Sequence, residues 1–217
     1  PVQYRLLSKI FPCKKTILGD AAQNVNPYSS TTADDIRKAL YKAEIMKLNK
    51  SYRSGYEITE LAKSISGNSE IDVVERHTEK PQLIEVSSRE AEDQLMREMI
   101  MDVDVNNPTS TAYIFKLEKD AIAFFESLGE LQKRATLLVS GCQAFTNGIV
   151  VTTSHMAKGL EFDEVVIPNV TKANYNDEMD KSLLYIACTR AMHRLKMIFC
   201  EEHTKFINNA LCISKKK

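Results

Sequence analysis

Between Gln82 and Ile167 the sequence repeatedly alternates short apolar, β-branched runs with longer stretches of helical periodicity. The runs Gln82–Val86, Thr111–Phe115, Thr136–Val139, Ile149–Thr153 and Val165–Ile167 read as strands. Arg89–Met101 reads as an amphipathic helix, with Ala91, Leu95, Met96, Met99 and Ile100 at three- and four-residue steps, and Lys119–Leu128 as a second helix. The methionines of the first helix read as core packing. Strand–helix alternation leaves few topologies, because parallel neighbours need crossover helices that pack back onto the sheet. The expected fold class is α/β, a mainly parallel sheet with helices on both faces.

Outside that stretch the pattern is weaker. A short helix is expected at Tyr4–Ile10 and a strand at Thr16–Leu18; a polar linker follows, and Asp34-Asp35 open a helix through about Lys42. Glu44–Asn49 reads as a strand, Glu57–Ile65 as a helix and Ile71–Val74 as a short strand. Leu183–Leu195 reads as one helix with Arg190 near its centre. A last strand is expected at Arg194–Cys200 and a helix near His203–Leu211, before a solvated Lys215-Lys216-Lys217 tail.

With 43% hydrophobic and 27% charged residues, the 217-residue chain can hold a sizeable core. Its formal net charge of zero does not point to a non-specific polyanion binder, although it leaves room for a local basic groove. The five cysteines are scattered without a C-x-x-C, and His77, His193 and His203 lack partners at ligand spacing. No metal site is therefore assigned, and a reducing, cytoplasmic setting is expected. No apolar run long enough to span a membrane and no signal-peptide layout is present.

Chemistry concentrates where the strand Ile149–Thr153 breaks into Ser154-His155-Met156-Ala157-Lys158-Gly159-Leu160-Glu161-Phe162. On its own this is equally a surface loop between strands. The later run Tyr185-Ile-Ala187-Cys-Thr189-Arg190-Ala191 changes the weighing. Together, A-K-G-L-E-F and Y-x-A-x-T-R-A resemble motifs V and VI of superfamily 1 helicases of the UvrD/Rep type. The wording A-C-T-R-A-M-H-R-L, with S-x-x-A-K-G-L-E-F before it, looks closer still to the HelD-type branch. Gly19-Asp20-Ala-Ala-Gln23 resembles motif III, and Leu48-Asn49-x-Ser51-Tyr52-Arg53-Ser54 resembles motif IV. Alone, the first is an ordinary Gly-Asp turn and the second an arginine on a solvated helix face.

The resemblance implies a RecA-like fold. Residues 1–30 would be the end of a first RecA-like domain plus linker, 31–212 a second such domain, and 213–217 a basic tail. It implies ATP with Mg²⁺ as the nucleotide. Gln23, Arg53 and Arg190 would act at the γ-phosphate, with Tyr52 at the base, Glu161 at the ribose and Gly159 turning the backbone beside them. A planar guanidinium suits phosphate because it offers two parallel donors. An arginine supplied across a cleft contributes on the order of a thousandfold to phosphoryl transfer.

Thr153 and His155 would contact the backbone of single-stranded DNA. Lys158 would neutralise phosphate, of nucleotide or of DNA. His155 is equally a histidine satisfied within its loop. Arg190→Ala in the full-length protein is expected to abolish most ATP hydrolysis and leave the fold intact.

No G-x-x-x-x-G-K-[ST] stretch occurs, nor an apolar run leading into an acidic pair; Phe162-Asp163-Glu164 has its acids ahead of the expected strand. The chain is therefore expected to be the C-terminal portion of a longer motor, inactive alone and partnered by the missing N-terminal RecA-like domain. Only about a hundred residues separate Arg53 from Thr153, less than one average domain. That leaves no room for the accessory domain of UvrD and Rep proteins, and favours translocation or remodelling. HelD-type relatives imply RNA polymerase as a further partner. The rival expectation is a non-catalytic RecA-like interaction module.

Overall fold

The computed structural model describes residues 2–19, 33–40, 43–48, 50–67, 71–103, 109–141, 148–207 and 213–215. Helix α1 spans Val2–Ile10 and α2 Ala33–Ala39, ahead of β1 (Lys50–Ser51), α3 (Tyr56–Ser66) and β2 (Asp72–Val73). The body continues with β3 (Gln82–Glu85), α4 (Arg89–Asp102), β4 (Thr111–Phe115) and α5 (Glu118–Ser127). A 3₁₀ turn at Gly129–Arg134 leads into β5 (Ala135–Leu138), β6 (Ile149–Thr153) and β7 (Phe162–Ile167). Helix α6 (Glu178–Cys188), β8 (Ala191–Phe199) and β9 (Ile213–Lys215) complete the order.

Seven strands form one sheet in the order β5-β6-β4-β7-β8-β3-β9, every pair parallel. The central strands β4 and β6 are buried at every position, which is why they read as unbroken apolar runs. Their side chains alternate between two cores. Ala112, Ile114 and Val150 face one that includes Ile58 and Leu61 of α3 and Leu184 of α6. Tyr113, Phe115 and Val151 face the other, with Met96 of α4 and Phe124 of α5. The helices thus cover both faces, as the alternation requires.

Local signals set the helix ends. Ser88 caps α4 by accepting from the Ala91 amide at 3.2 Å. Asp177 and Asp180 form a reciprocal capping box on α6. Gly67 closes α3 with a left-handed φ of 72° and donates to the Lys63 carbonyl.

Several expectations are corrected. Leu183–Leu195 is not one helix: α6 stops at Cys188, Thr189 and Arg190 make the turn, and β8 starts at Ala191. Ala-Met-His-Arg-Leu has ordinary helix propensity, but pairing between β7 and β3 overrides it. The strand expected from Arg194 therefore starts earlier, and Asp163 and Glu164 lie within β7 instead of ahead of it.

No strand forms at 16–18 or 43–48. Residues 203–207 carry a bridge and turns, and the rest of the helix expected there lies outside the described residues. Ile213–Lys215, expected in a solvated tail, pairs with β3 as an edge strand. Among the described residues no helix is long and apolar enough to cross a membrane.

Candidate functional site

Of the residues singled out in the sequence, those the structure describes fall at two opposite edges of the sheet and on the connection between them. At the edge where β7 and β8 begin, Phe162 is in register with Ala191, and the Phe162 amide donates to the Arg190 carbonyl at 2.9 Å. Arg190 thus sits in the turn between α6 and β8. Its side chain is 1% exposed. Nε donates to the Ile186 carbonyl, Nη1 to the Leu160 carbonyl and Nη2 to Thr189 Oγ1, each at 3.2 Å.

The loop after β1 docks onto the same edge. Ser54 Oγ donates to the Ala191 carbonyl at 2.6 Å, and the Gly55 amide to the Met192 carbonyl at 3.2 Å. Gly55 is required by a close approach: a Cβ there would stand 2.0 Å from the Thr78 hydroxyl. Arg53 Nε meets Glu161 Oε1 at 2.5 Å, the two side chains 36% and 45% exposed. Arg53, Glu161 and Arg190 are therefore brought together, the first two paired and the third bonded to the residue preceding Glu161. Tyr52 beside them is 69% exposed. Gly159 has φ +92° and open space where a Cβ would stand, so backbone conformation and not crowding calls for glycine there.

A strap at Arg76–Thr78, unsuspected from sequence, holds the Arg53 loop. Arg76 Nη2 donates to the Arg53 carbonyl at 2.7 Å. Glu57 accepts from the Thr78 amide at 2.9 Å and meets His77 Nδ1 at 2.8 Å. The Thr78 amide, then His77, lowers the Glu57 carboxyl from 4.5 to about 2.

At the opposite edge, where β4, β5 and β6 end, a cavity of about 380 Å³ is lined by Lys116, Leu117, Glu118, Ser140, Thr153, His155 and Met156. Thr153 is nearly buried, and its hydroxyl accepts from the Met156 amide at 3.4 Å. His155 and Lys158 are exposed, and the Lys158 amide donates to the His155 carbonyl at 3.4 Å. Residues 154–161 cross from this edge to the other, so the two groups of residues are ends of one connection.

Lys116, Ser140 and Glu118 were not singled out in the sequence. The usable signal was position, since Lys116 directly follows a buried strand just as Ser154 does. Gln23 lies outside the described residues. Among the described residues no three His, Cys, Asp or Glu side chains are grouped to hold a metal ion.

Glu92 on α4 is fully buried. It accepts from the Asn169 amide at 2.6 Å and pairs with Arg89. Burial raises its carboxyl from 4.5 to about 7.

Residues 148–198, which contain β6, β7, α6 and most of β8, match the family model of the UvrD-like helicase C-terminal domain. Among solved structures, the chain is similar to the C-terminal domain of a possible DNA helicase from Lactobacillus plantarum WCFS1. Identity is 29%, coverage 77% of this chain and 99% of that one, and TM-score 0.61. More remote likenesses are to arterivirus nonstructural protein 10, a helicase in complex with DNA (10% identity, 72% of this chain and 37% of that one, TM-score 0.44), and to the C-terminal domain of the DEAD-box protein Dbp5 (12%, 63% and 88%, TM-score 0.42). No curated protein matches. The fold is that of helicase C-terminal RecA-like domains, and the similarity supports a helicase-type function.

Proposed function

We propose that this chain is the second RecA-like unit, with the end of a first, of an ATP-dependent superfamily 1 DNA helicase or translocase. Residues 1–30 would belong to the first unit and 31–212 to the second. One observation carries the reading: a single connection, 154–161, joins the edge holding Arg53, Glu161 and Arg190 to the cleft holding Thr153 and His155. Groups suited to nucleotide stand at one end and groups suited to a nucleic-acid backbone at the other.

The nucleotide-side residues fit ATP chemically. Tyr52 presents an exposed ring for a base, Glu161 a carboxylate for ribose hydroxyls, and Arg53 a guanidinium for phosphate. Bound ATP supplies the phosphoryl group whose transfer drives the cycle. Arg53 must leave Glu161 to bind phosphate, which frees the carboxylate for ribose. Arg190 must surrender its bonds to Ile186, Leu160 and Thr189 to reach across a cleft. The resemblance would place the Mg²⁺ ligands on the P-loop-bearing unit. At the other edge, His155 and the Thr153 hydroxyl would donate to phosphates of single-stranded DNA, contacts that carry no base information.

The test is DNA-stimulated ATP hydrolysis by this chain joined to its P-loop-bearing partner domain. Arg53→Ala is expected to reduce turnover by about a hundredfold or more, with the melting temperature nearly unchanged. Undiminished turnover removes Arg53 from the mechanism.

The inward Arg190 favours a second reading, a non-catalytic RecA-like interaction module. In that case the joined protein neither hydrolyses ATP nor protects residues 52–55 from hydrogen exchange when ATP is added. The HelD-type assignment, and RNA polymerase as partner, rest on the wording of residues 154–162 and 187–195 alone; co-purification with polymerase tests them.

A further inference from the structure

We infer that Lys116 is a phosphate ligand of the cleft at the β4–β6 edge, and that Asp180 competes with nucleic acid for it. This rests on the reading of that cleft as the single-strand site. Phe115 and Thr153 are in register at the ends of β4 and β6, so Lys116 leaves the sheet beside Ser154. The Ser154 amide donates to the Phe115 carbonyl at 3.1 Å, fixing that juxtaposition. Among the lining residues Lys116 alone carries a permanent positive charge. The Glu118 carboxylate at the rim is occupied by the Ser140 hydroxyl at 2.8 Å. Ser154 Oγ, fully buried at the same edge, has no hydrogen-bond partner among the described residues.

The Lys116 ammonium is presently turned to the protein. It lies 2.5 Å from Asp180 Oδ1, donates to the Asn174 carbonyl, and stands 5.6 Å from the centre of the buried Tyr175 ring. Asp180 is the fixed member of the pair. Its side chain is 7% exposed, and Oδ2 accepts from the Asn176 and Asp177 amides at 3.0 and 3.4 Å. Lys116 is the mobile member: 17% exposed, on a stem with four rotatable bonds. A phosphate entering the cleft offers it a second anion. Asp180 therefore holds the cation and weakens binding by the cost of breaking the pair. A purely structural aspartate would not have that effect.

The experiment measures fluorescence anisotropy of a labelled twelve-residue oligo(dT) with this chain across a salt series, with each variant's melting recorded. Lys116→Met is expected to weaken binding by about fivefold and to lower the salt slope by about 0.7, one phosphate contact on a single strand. Lys116→Arg keeps binding near wild type. Asp180→Asn retains an oxygen acceptor for the cap amides but removes the competing charge, and is expected to tighten binding by about threefold.

If Asp180→Asn weakens binding along with stability, Asp180 is only structural and the inference fails. If Lys116→Met and Asp180→Asn bind like wild type while His155→Ala weakens, the inference fails and the single-strand reading stands. If neither wild type nor Asp180→Asn binds the oligonucleotide, both fall. Should Lys116→Met not fold, the Lys116→Arg and Asp180→Asn arms decide the question.

Discussion

Arg53 and Arg190 lie at the same sheet edge in opposite physical states. Arg53 is in a half-exposed ion pair, where solvent screens the attraction. Arg190 is sealed in, each guanidinium nitrogen donating to a protein oxygen. Removing it takes a donor from the Leu160 and Ile186 carbonyls, the second of which keeps the Thr189 hydroxyl, and leaves a cavity. Arg190→Ala is therefore expected to destabilise the fold by about 3 kcal/mol in urea unfolding, and Arg53→Ala by under about 1 kcal/mol. This replaces the expectation that Arg190→Ala leaves the fold intact, and it makes Arg53 the cleaner probe of chemistry.

Glu92 gives a pH dependence of unusual sign. Its carboxyl titrates near 4.5 when unfolded and about 7 when folded, because burial opposes its charge more than Arg89 and the Asn169 amide favour it. The native state therefore holds the extra proton between those values. Stability from this group is full below about pH 4.5 and is lost as pH rises through 7, a difference of about 3 kcal/mol. Glu92→Gln keeps the acceptor for Asn169 and is expected to abolish that slope in melts between pH 5 and 8. An unchanged slope would assign it to other groups.

At the scale of elements, α6 is specified by its first turn and ended by its surroundings. The Asp177–Asp180 box supplies two donors with partners before any tertiary contact forms. Asp177→Ala is expected to cost about 1 kcal/mol by thermal unfolding. Nothing comparable in the sequence marks the other end. Thr189 and Arg190 stop the helix because Ala191 onward is pulled into the sheet between β7 and β3, a constraint set by residues far away in the chain.

The same distinction explains what could be read beforehand. β4 and β6 were legible to the residue because burial on both faces writes itself as an apolar run. β9 was not, since an edge strand of Ile-Ser-Lys has no such signature. In the site, resemblance to helicase motifs pointed to Arg53, Glu161 and Arg190. It could not point to Lys116 or the Arg76–Thr78 strap, whose partners are separated by tens of residues and meet only through the fold.

The seven-stranded sheet feeds two cores, so neither core can melt alone. Ile114 of β4 packs into the α3–α6 core, and Val151 of β6 into the α4–α5 core. Both strands contribute alternate side chains to both sides, and loss of either face unpairs the ladder they share. Ile114→Ala is expected to destabilise by about 3 kcal/mol and Val151→Ala by about 2 kcal/mol. In each case far-ultraviolet and tyrosine signals should still change in a single coincident transition.

Helix α1 lies outside this unit. None of its residues is buried, and Leu6, Leu7, Ile10 and the adjoining Phe11 are exposed. Its amides are therefore expected to exchange at rates set by local opening, indifferent to both substitutions. If α1 protection instead falls in step with the sheet, its apolar face is covered in solution, and the α1 segment belongs to the cooperative unit.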